Sequence, residues 1–354
     1  MSKSHDFART LCAGVLLGTL ATHPTVAQNH ADIEEHTRPL TEHGPGDRSP
    51  LVHTFSIVAR DPKTGELGVA VQSHWFSVGS VVPWAEAGVG AIATQSFVDP
   101  AYGFKGLALM KQGLSAPEAL KRLVAADAQR DGRQIAFVDA QGRVAAHTGA
   151  KAIAAAGHII GAQYSVQANL MANDRVWPAM ARAFESTPGE LADRLVAALE
   201  AAQQVGGDIR GRQSAALLIV KPVSTGRPWA GADRVFDLRV EDHPDPIPEL
   251  KRLVRLQRAY AHANRGDELF AEQKIEAALQ EYAAATRYAP EVLELPFWQA
   301  VTLASIGKMA EAEPIFRQVF AKEPFWADLV PRLPAAGLLP DDKALVGRIV
   351  GFRR

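Results

Sequence analysis

Thr54-Phe-Ser-Ile-Val-Ala-Arg60, Asp61-Pro-Lys-Thr-Gly65 and Glu66-Leu-Gly-Val-Ala-Val-Gln-Ser73 follow one another without a break. Two β-rich runs around a turn of Pro and Gly predict a hairpin, and the second run is apolar enough to be buried on both faces. Gly88-Val-Gly-Ala-Ile-Ala-Thr-Gln95 is a third such run. Its small residues imply close approach of another layer or of a ligand.

Outward from these strands the pattern turns helical. Ser115-Ala-Pro-Glu118 is a capping box with Pro in the first turn, opening an amphipathic run through Leu120, Leu123 and Val124. Gln134-Ile-Ala-Phe-Val-Asp139 and Arg143-Val-Ala-Ala-His-Thr148 flank Ala140-Gln-Gly142 as a second hairpin. Residues 174–186 and 189–204 read as helices, the latter with Leu191, Leu195, Val196 and Leu199 on one stripe. Ser214-Ala-Ala-Leu-Leu-Ile-Val220 and Val235-Phe-Asp-Leu-Arg-Val240 return to strand. Strands, then helices, then strands with hairpin connections favour an α+β sandwich of mainly antiparallel sheets over a doubly wound parallel sheet.

The chain has 354 residues, 39 acidic against 38 Lys and Arg, and 47% hydrophobic residues. At about 100–200 residues per domain this suggests two or three domains, and the composition excludes disorder and collagen-like repetition. A formal charge of −1 leaves no cation excess for a phosphate backbone, so nucleic acid is not an expected partner.

Lys3 and Arg9, the apolar run Leu11 to Ala21, and the small residues of Thr25-Val26-Ala27 read as a secretory signal peptide over residues 1–27. The mature chain is then expected to start near Gln28 and to be periplasmic or extracellular. No later stretch approaches the ~20 apolar residues of a membrane span. Cys12, the only cysteine, falls in the removed segment, so neither a disulfide nor a thiol nucleophile is available to the mature chain. Residues 28–53 read as a flexible linker rich in His and Pro. His30, His36 and His43 lack a second shell that would make them a metal site. No His and carboxylate spacing in the sandwich domain asks for a metal, and no cofactor is implied.

A second domain is expected over 244–354, after the prolines of His243-Pro-Asp-Pro-Ile-Pro248. Gly266, Ala278, Tyr282, Ala285 and Pro290 recur 34 residues later as Ala300, Ala312, Phe316, Val319 and Pro324. Period and residue types resemble a tetratricopeptide pair, with small residues where helices cross, an aromatic knob and a terminal Pro. Such repeats usually need about three units, so the pair should dock on another surface. Pro331 to Ile349 is its expected cap, and Trp298, Phe316, Phe320 and Trp326 are candidate contacts. The surface itself would take a protein or peptide partner.

The segment from Thr54 to Val240 resembles the family called domain of unknown function 1028, regarded as Ntn-hydrolase-like. Further residues carrying the likeness are Pro83-Trp84-Ala85, Gly207-Asp-Ile-Arg-Gly-Arg-Gln-Ser-Ala215 and Asp237-Leu-Arg-Val-Glu-Asp-His-Pro-Asp-Pro246. The resemblance implies a four-layer αββα sandwich over 54–243. In Ntn hydrolases the nucleophile is the first residue of a strand, and its freed α-amine, with a pKa of about 7.7–8.0, takes the side-chain proton. Thr54 sits at that position. As it stands, 53 residues precede it, so cleavage of His53-Thr54 is required.

Ser56 shares the face of Thr54 and is the reserve hydroxyl. Ser73-His74 and Thr94-Gln95-Ser96 end neighbouring strands and are candidate pocket residues, each also readable as a satisfied strand-end group. Asp208, Arg210, Arg212, Gln213 and Ser214 form the densest polar cluster. Asp208 is read there as orienting and an Arg as gripping a carboxylate, against a plain loop salt-bridge network. Asn169 is a candidate oxyanion donor. His147 and His158 lack acidic partners, and neither a Ser-His-Asp triad nor a Gly-x-Ser-x-Gly elbow is present. Two functions are therefore expected in competition. One is an exported amidohydrolase or peptidase acting on a small amide or peptide; the other is a non-catalytic protein binding through its repeat surface.

Overall fold

The computed structural model describes residues 51–353. The expected signal peptide over residues 1–27 and the expected linker up to residue 50, with Cys12, His30, His36 and His43, lie outside the described residues.

The hairpin is present as β2 (Thr54–Arg60) and β3 (Leu67–Ser73), paired antiparallel from Thr54↔Ser73 to Arg60↔Leu67. Its turn is held by the Asp61 carboxylate, which accepts from the backbone N–H groups of Lys63 (2.7 Å) and Thr64 (3.0 Å). With β8 (Gly157–Gly161), β9 (Tyr164–Ala168), β10 (Ser214–Val220) and β11 (Arg234–Val240) these strands make a six-stranded sheet ordered β11-β10-β3-β2-β9-β8. A second sheet has five strands. They are β1 (Leu51–Val52), β4 (Pro83–Glu86), β5 (Gly90–Phe97), β6 (Arg133–Asp139) and β7 (Val144–Thr148). Every pairing in both sheets is antiparallel.

Strand alternation assigns the faces. Val58, Val69, Val71 and Ala216 of one sheet meet Ala91, Ala93, Ala136 and Val138 of the other in one buried cluster. The opposite face of the six-stranded sheet, with Phe55, Ile57, Val166 and Leu217, is covered by α3 (Val176–Ser186) and α4 (Leu191–Gln204). Ile92, Ile135 and Phe137 of the other sheet pack under α1 (Ala101–Lys111) and α2 (Ala116–Ala126). The capping box opening α2 is present, Ser115 accepting from the Glu118 N–H while Glu118 accepts from the Ser115 N–H. α1 was not anticipated, because Gly103 and Gly106 lower its helix propensity. Both are packing residues: a Cβ would lie 2.2 Å from Trp84 at Gly103 and 2.5 Å from Phe137 at Gly106.

The linker expected over 28–53 ends sooner than that. Leu51 and Val52 pair with Phe97 and Ser96 of β5, Val52 is buried, and His53 is 2% exposed. The chain therefore leaves one sheet at Val52 and enters the other at Thr54, with His53 alone in the crossing.

The C-terminal region is helical: α5 (Pro246–Ala271), α6 (Ile275–Tyr288), α7 (Glu294–Ser305), α8 (Met309–Lys322), the short α9 (Trp326–Leu329) and α10 (Lys343–Gly351). Pro246 and Pro248 lie in the first turn of α5, where a missing N–H leaves no helical bond unmade. Ile247, Leu250 and Val254 of α5 join the core under α3 and α4, and Arg258 holds Glu190 (2.7 Å) and Asp193 (2.8 Å). Of the positions that recur in the sequence, Gly266, Ala278, Tyr282, Ala285, Ala300, Ala312, Phe316 and Val319 are buried, while Pro290 and Pro324 are exposed. Phe316 and Phe320 are buried with Val330, Leu333, Leu339 and Ile349, and Trp298 and Trp326 pack partly against that cluster. The four aromatics expected as contacts thus belong to the region's own core. No helix among the described residues is long and apolar enough to cross a membrane.

Candidate functional site

Thr54, Ser73 and Ser214 stand side by side, because β2 and β10 both pair with β3 at Ser73. All three are buried on the face turned to the second sheet. The row ends the sheet where His53 crosses, and its hydroxyls have different tasks. Thr54 Oγ1 donates to the Val52 carbonyl (3.0 Å). Ser214 Oγ donates to the Trp75 carbonyl (2.5 Å) and accepts the Val78 N–H (3.1 Å), anchoring the segment after β3.

Ser73 Oγ donates to the His53 carbonyl oxygen at 2.5 Å. A second donor reaches that oxygen, Arg210 Nη2 at 2.6 Å. Arg210 is aimed by Asp208, whose Oδ2 takes Nη2 (2.7 Å) and whose Oδ1 takes Nε (3.1 Å) and the Arg210 N–H (2.9 Å). Asp208 Oδ2 also accepts the His74 N–H (3.2 Å), so the carboxylate ties this loop to the end of β3. The Asp208 side chain is fully buried and that of Arg210 is 27% exposed, so Arg210 is where this cluster reaches solvent.

The His53 ring is fixed by Asn169, Nδ1 lying 2.7 Å from Asn169 Oδ1. Which ring nitrogen holds the proton follows from a chain of amides. Gln134 Nε2 donates to Thr148 Oγ1 (2.9 Å) and the Ala168 carbonyl (2.9 Å), so Gln134 Oε1 faces Asn169 Nδ2 (2.9 Å) and Gln95 Nε2 (2.7 Å). Asn169 therefore turns its oxygen to His53, whose Nδ1 must carry hydrogen. Burial holds the His53 imidazole below its ordinary pKa, partly offset by the Asn169 bond, and so favours the neutral ring. Gln95 also donates to the Thr54 carbonyl (3.1 Å). Ser56 Oγ donates to Gln95 Oε1 (2.6 Å) and accepts Gln167 Nε2 (2.6 Å). Two residues with positive φ follow the key amides, Ser96 (72°) after Gln95 and Leu170 (58°) after Asn169. A non-glycine residue there is strained, and such strain gathers at functional sites.

Of the residues read from the sequence, Thr54, Ser73, Asn169, Asp208 and Arg210 converge on the His53-Thr54 peptide. Ser56 and Gln95 lie deeper, inside the amide network. His74 contributes its backbone N–H while its side chain is exposed. Arg212 pairs with Asp245, and Gln213 donates to Asp242 (3.1 Å), so both tie the loop to the segment after β11. His53, Gln134 and Gln167 were missed. His53 falls at the end of the expected linker; the two glutamines sit in strands and look like ordinary polar positions. Among the described residues no group of three or more His, Cys, Asp and Glu could hold a metal.

Two antiparallel sheets with helices on their outer faces, and a polar cluster on the peptide that enters the first hairpin, define a mixed α+β class built around one strand start. The family model of unknown function DUF1028 matches residues 54–250, and the chain belongs to that family. It is also similar to the crystal structure of protein SPO2555 from Silicibacter pomeroyi, itself assigned to DUF1028. The two are 31% identical with a TM-score of 0.52, over 57% of this chain and 85% of that one. No curated protein matches the chain.

Proposed function

We propose that this chain is the precursor of an exported Ntn-type amidohydrolase or peptidase with a four-layer αββα sandwich, whose nucleophile is Thr54 once His53-Thr54 has been cut. The observation that carries the reading is the His53 carbonyl oxygen, which takes two donors, Ser73 Oγ and Arg210 Nη2. Donors on that oxygen stabilise the negative charge of a tetrahedral intermediate formed at its carbon. Thr54 Oγ1 adds to the His53 carbonyl carbon; the C–N bond breaks, and the hydroxyl proton goes to the departing Thr54 nitrogen. Water then hydrolyses the ester on Oγ1, leaving a His53 carboxylate and a free α-amine. In the mature protein that amine takes the Thr54 proton, and the same two donors hold the carbonyl oxygen of a small amide or peptide.

Mass spectrometry of the purified chain tests this. A species beginning at Thr54 is expected from the parent and an uncut one from Thr54→Ala, with amidase activity down at least ~10³-fold. An uncut parent of undiminished activity overturns the reading.

A second reading, a non-catalytic binder, is favoured by a cleft of about 670 Å³ in the helical region, lined by Phe270, Tyr282, Trp298 and Leu338. Here the tetratricopeptide-like pair would hold a protein or peptide. It stands if Thr54→Ala leaves every activity and the N-terminus unchanged.

A further inference from the structure

Within the hydrolase reading, on which this rests, the precursor carries its own first substrate: His53 supplies the acyl side of the bond to be cut. Its carbonyl lies on Ser73 and Arg210, its ring on Asn169, and Phe97 meets the ring edge-on at a centroid distance of 6.1 Å. Asn169 is fully buried, and its amide is oriented from behind by Gln134. Rotating it would set its NH₂ against His53 and its oxygen against Gln134 Oε1, so the amide chain fixes an acceptor there. An apolar side chain in this space would leave that acceptor buried and unpaired, a discrimination that a shape-only pocket does not achieve.

We infer that the space filled by His53 is the specificity subsite: it takes a planar side chain that gives an N–H to Asn169 Oδ1, and the amides cut are those whose acyl side is a histidyl or a carboxamide residue. Asn169 then serves to select the substrate, and Phe97 covers the ring edge.

Two measurements on the full-length chain test it. After maturation, histidyl and glutaminyl p-nitroanilides should be cleaved with kcat/KM at least tenfold above the phenylalanyl and leucyl ones, and Asn169→Leu should remove the preference. Equal or better cleavage of the apolar pair overturns the inference. Independently of any cleavage, His53→Ala combined with Thr54→Ala opens the space in an uncut chain. 4-Methylimidazole should raise its unfolding midpoint, and toluene, of similar size without an N–H, should not. Toluene matching 4-methylimidazole, or neither binding, overturns the subsite. If the alanine chain does not fold, His53→Gln and His53→Leu replace it. The glutamine chain should melt well above the leucine chain, and equal midpoints count against the subsite. A parent never cut sinks the hydrolase reading, whereas an apolar preference in a chain that matures sinks only this inference.

Discussion

The space between the two sheets has two halves of opposite chemistry. One is filled by Val58, Val69, Val71, Ala91, Ala93, Ala136 and Val138. The other holds Ser56, Gln95, Gln134, Ser165, Gln167 and Asn169, equally buried. The first half gains from non-directional burial, about 1.5–3 kcal/mol for each large apolar side chain. The second gains little net, because each amide exchanges water for protein partners, yet losing a partner costs the full desolvation of what is left behind. Valines fill space, whereas amides specify orientation. The polar half lies next to the His53-Thr54 peptide, where Asn169 orients the His53 ring and Gln95 holds the Thr54 carbonyl.

This contrast breaks most visibly at Gln134. Gln134→Leu withdraws the acceptor of Asn169 Nδ2 and the donor to the Ala168 carbonyl. Two groups each losing a partner at about 1–3 kcal/mol predict a loss of roughly 2–6 kcal/mol in urea unfolding. The converse change, Val69→Thr, keeps the volume and adds a hydroxyl to the apolar half, for about 1–3 kcal/mol by the same method. A cost equal to that of Gln134→Leu would mean the halves do not differ as described. Ser115→Ala, at the cap of α2 and away from both halves, serves as the reference, at about 1 kcal/mol.

The smallest signal expected is a pH dependence confined to the polar half. Burial lowers the pKa of His53 and of His158, whose Nδ1 lies 2.8 Å from Thr148 Oγ1. A folded-state value below the ordinary 6.5 means the unfolded chain takes up protons first. This stability is complete above pH 6.5 and lost as pH falls through the folded value. His158→Asn should flatten the slope of unfolding free energy below pH 6.5, and an unchanged slope would assign it elsewhere.

The apolar half was legible in the sequence, since its residues lie at period 2 in Thr54–Arg60, Leu67–Ser73 and Arg133–Asp139. The polar half was not. In Tyr164–Ala168 the apolar residues alternate with Ser165 and Gln167, which reads as a strand wet on one face, although both faces are buried. Arg133 hides in the same way. Only 1% of its side chain is exposed, with Asp127 at 2.9 Å and the Phe97 carbonyl at 2.6 Å, and no local pattern announces a buried guanidinium. At the site, Thr54, Asn169, Asp208 and Arg210 were found by residue type and place. Their meeting point, one carbonyl oxygen, depends on a crossing between sheets that only the fold supplies.

The 26 residues of α5 extend this crossing logic across the molecule. Its early turns sit in the core beneath α3 and α4, while Gly266 and Leu269 near its other end are buried with the helical array. At 1.5 Å per residue it is a strut of about 39 Å, free of internal joints. The array is thus held at a set distance and bearing from the sheets. Two glycines inserted near Gln257 would turn that strut into a tether.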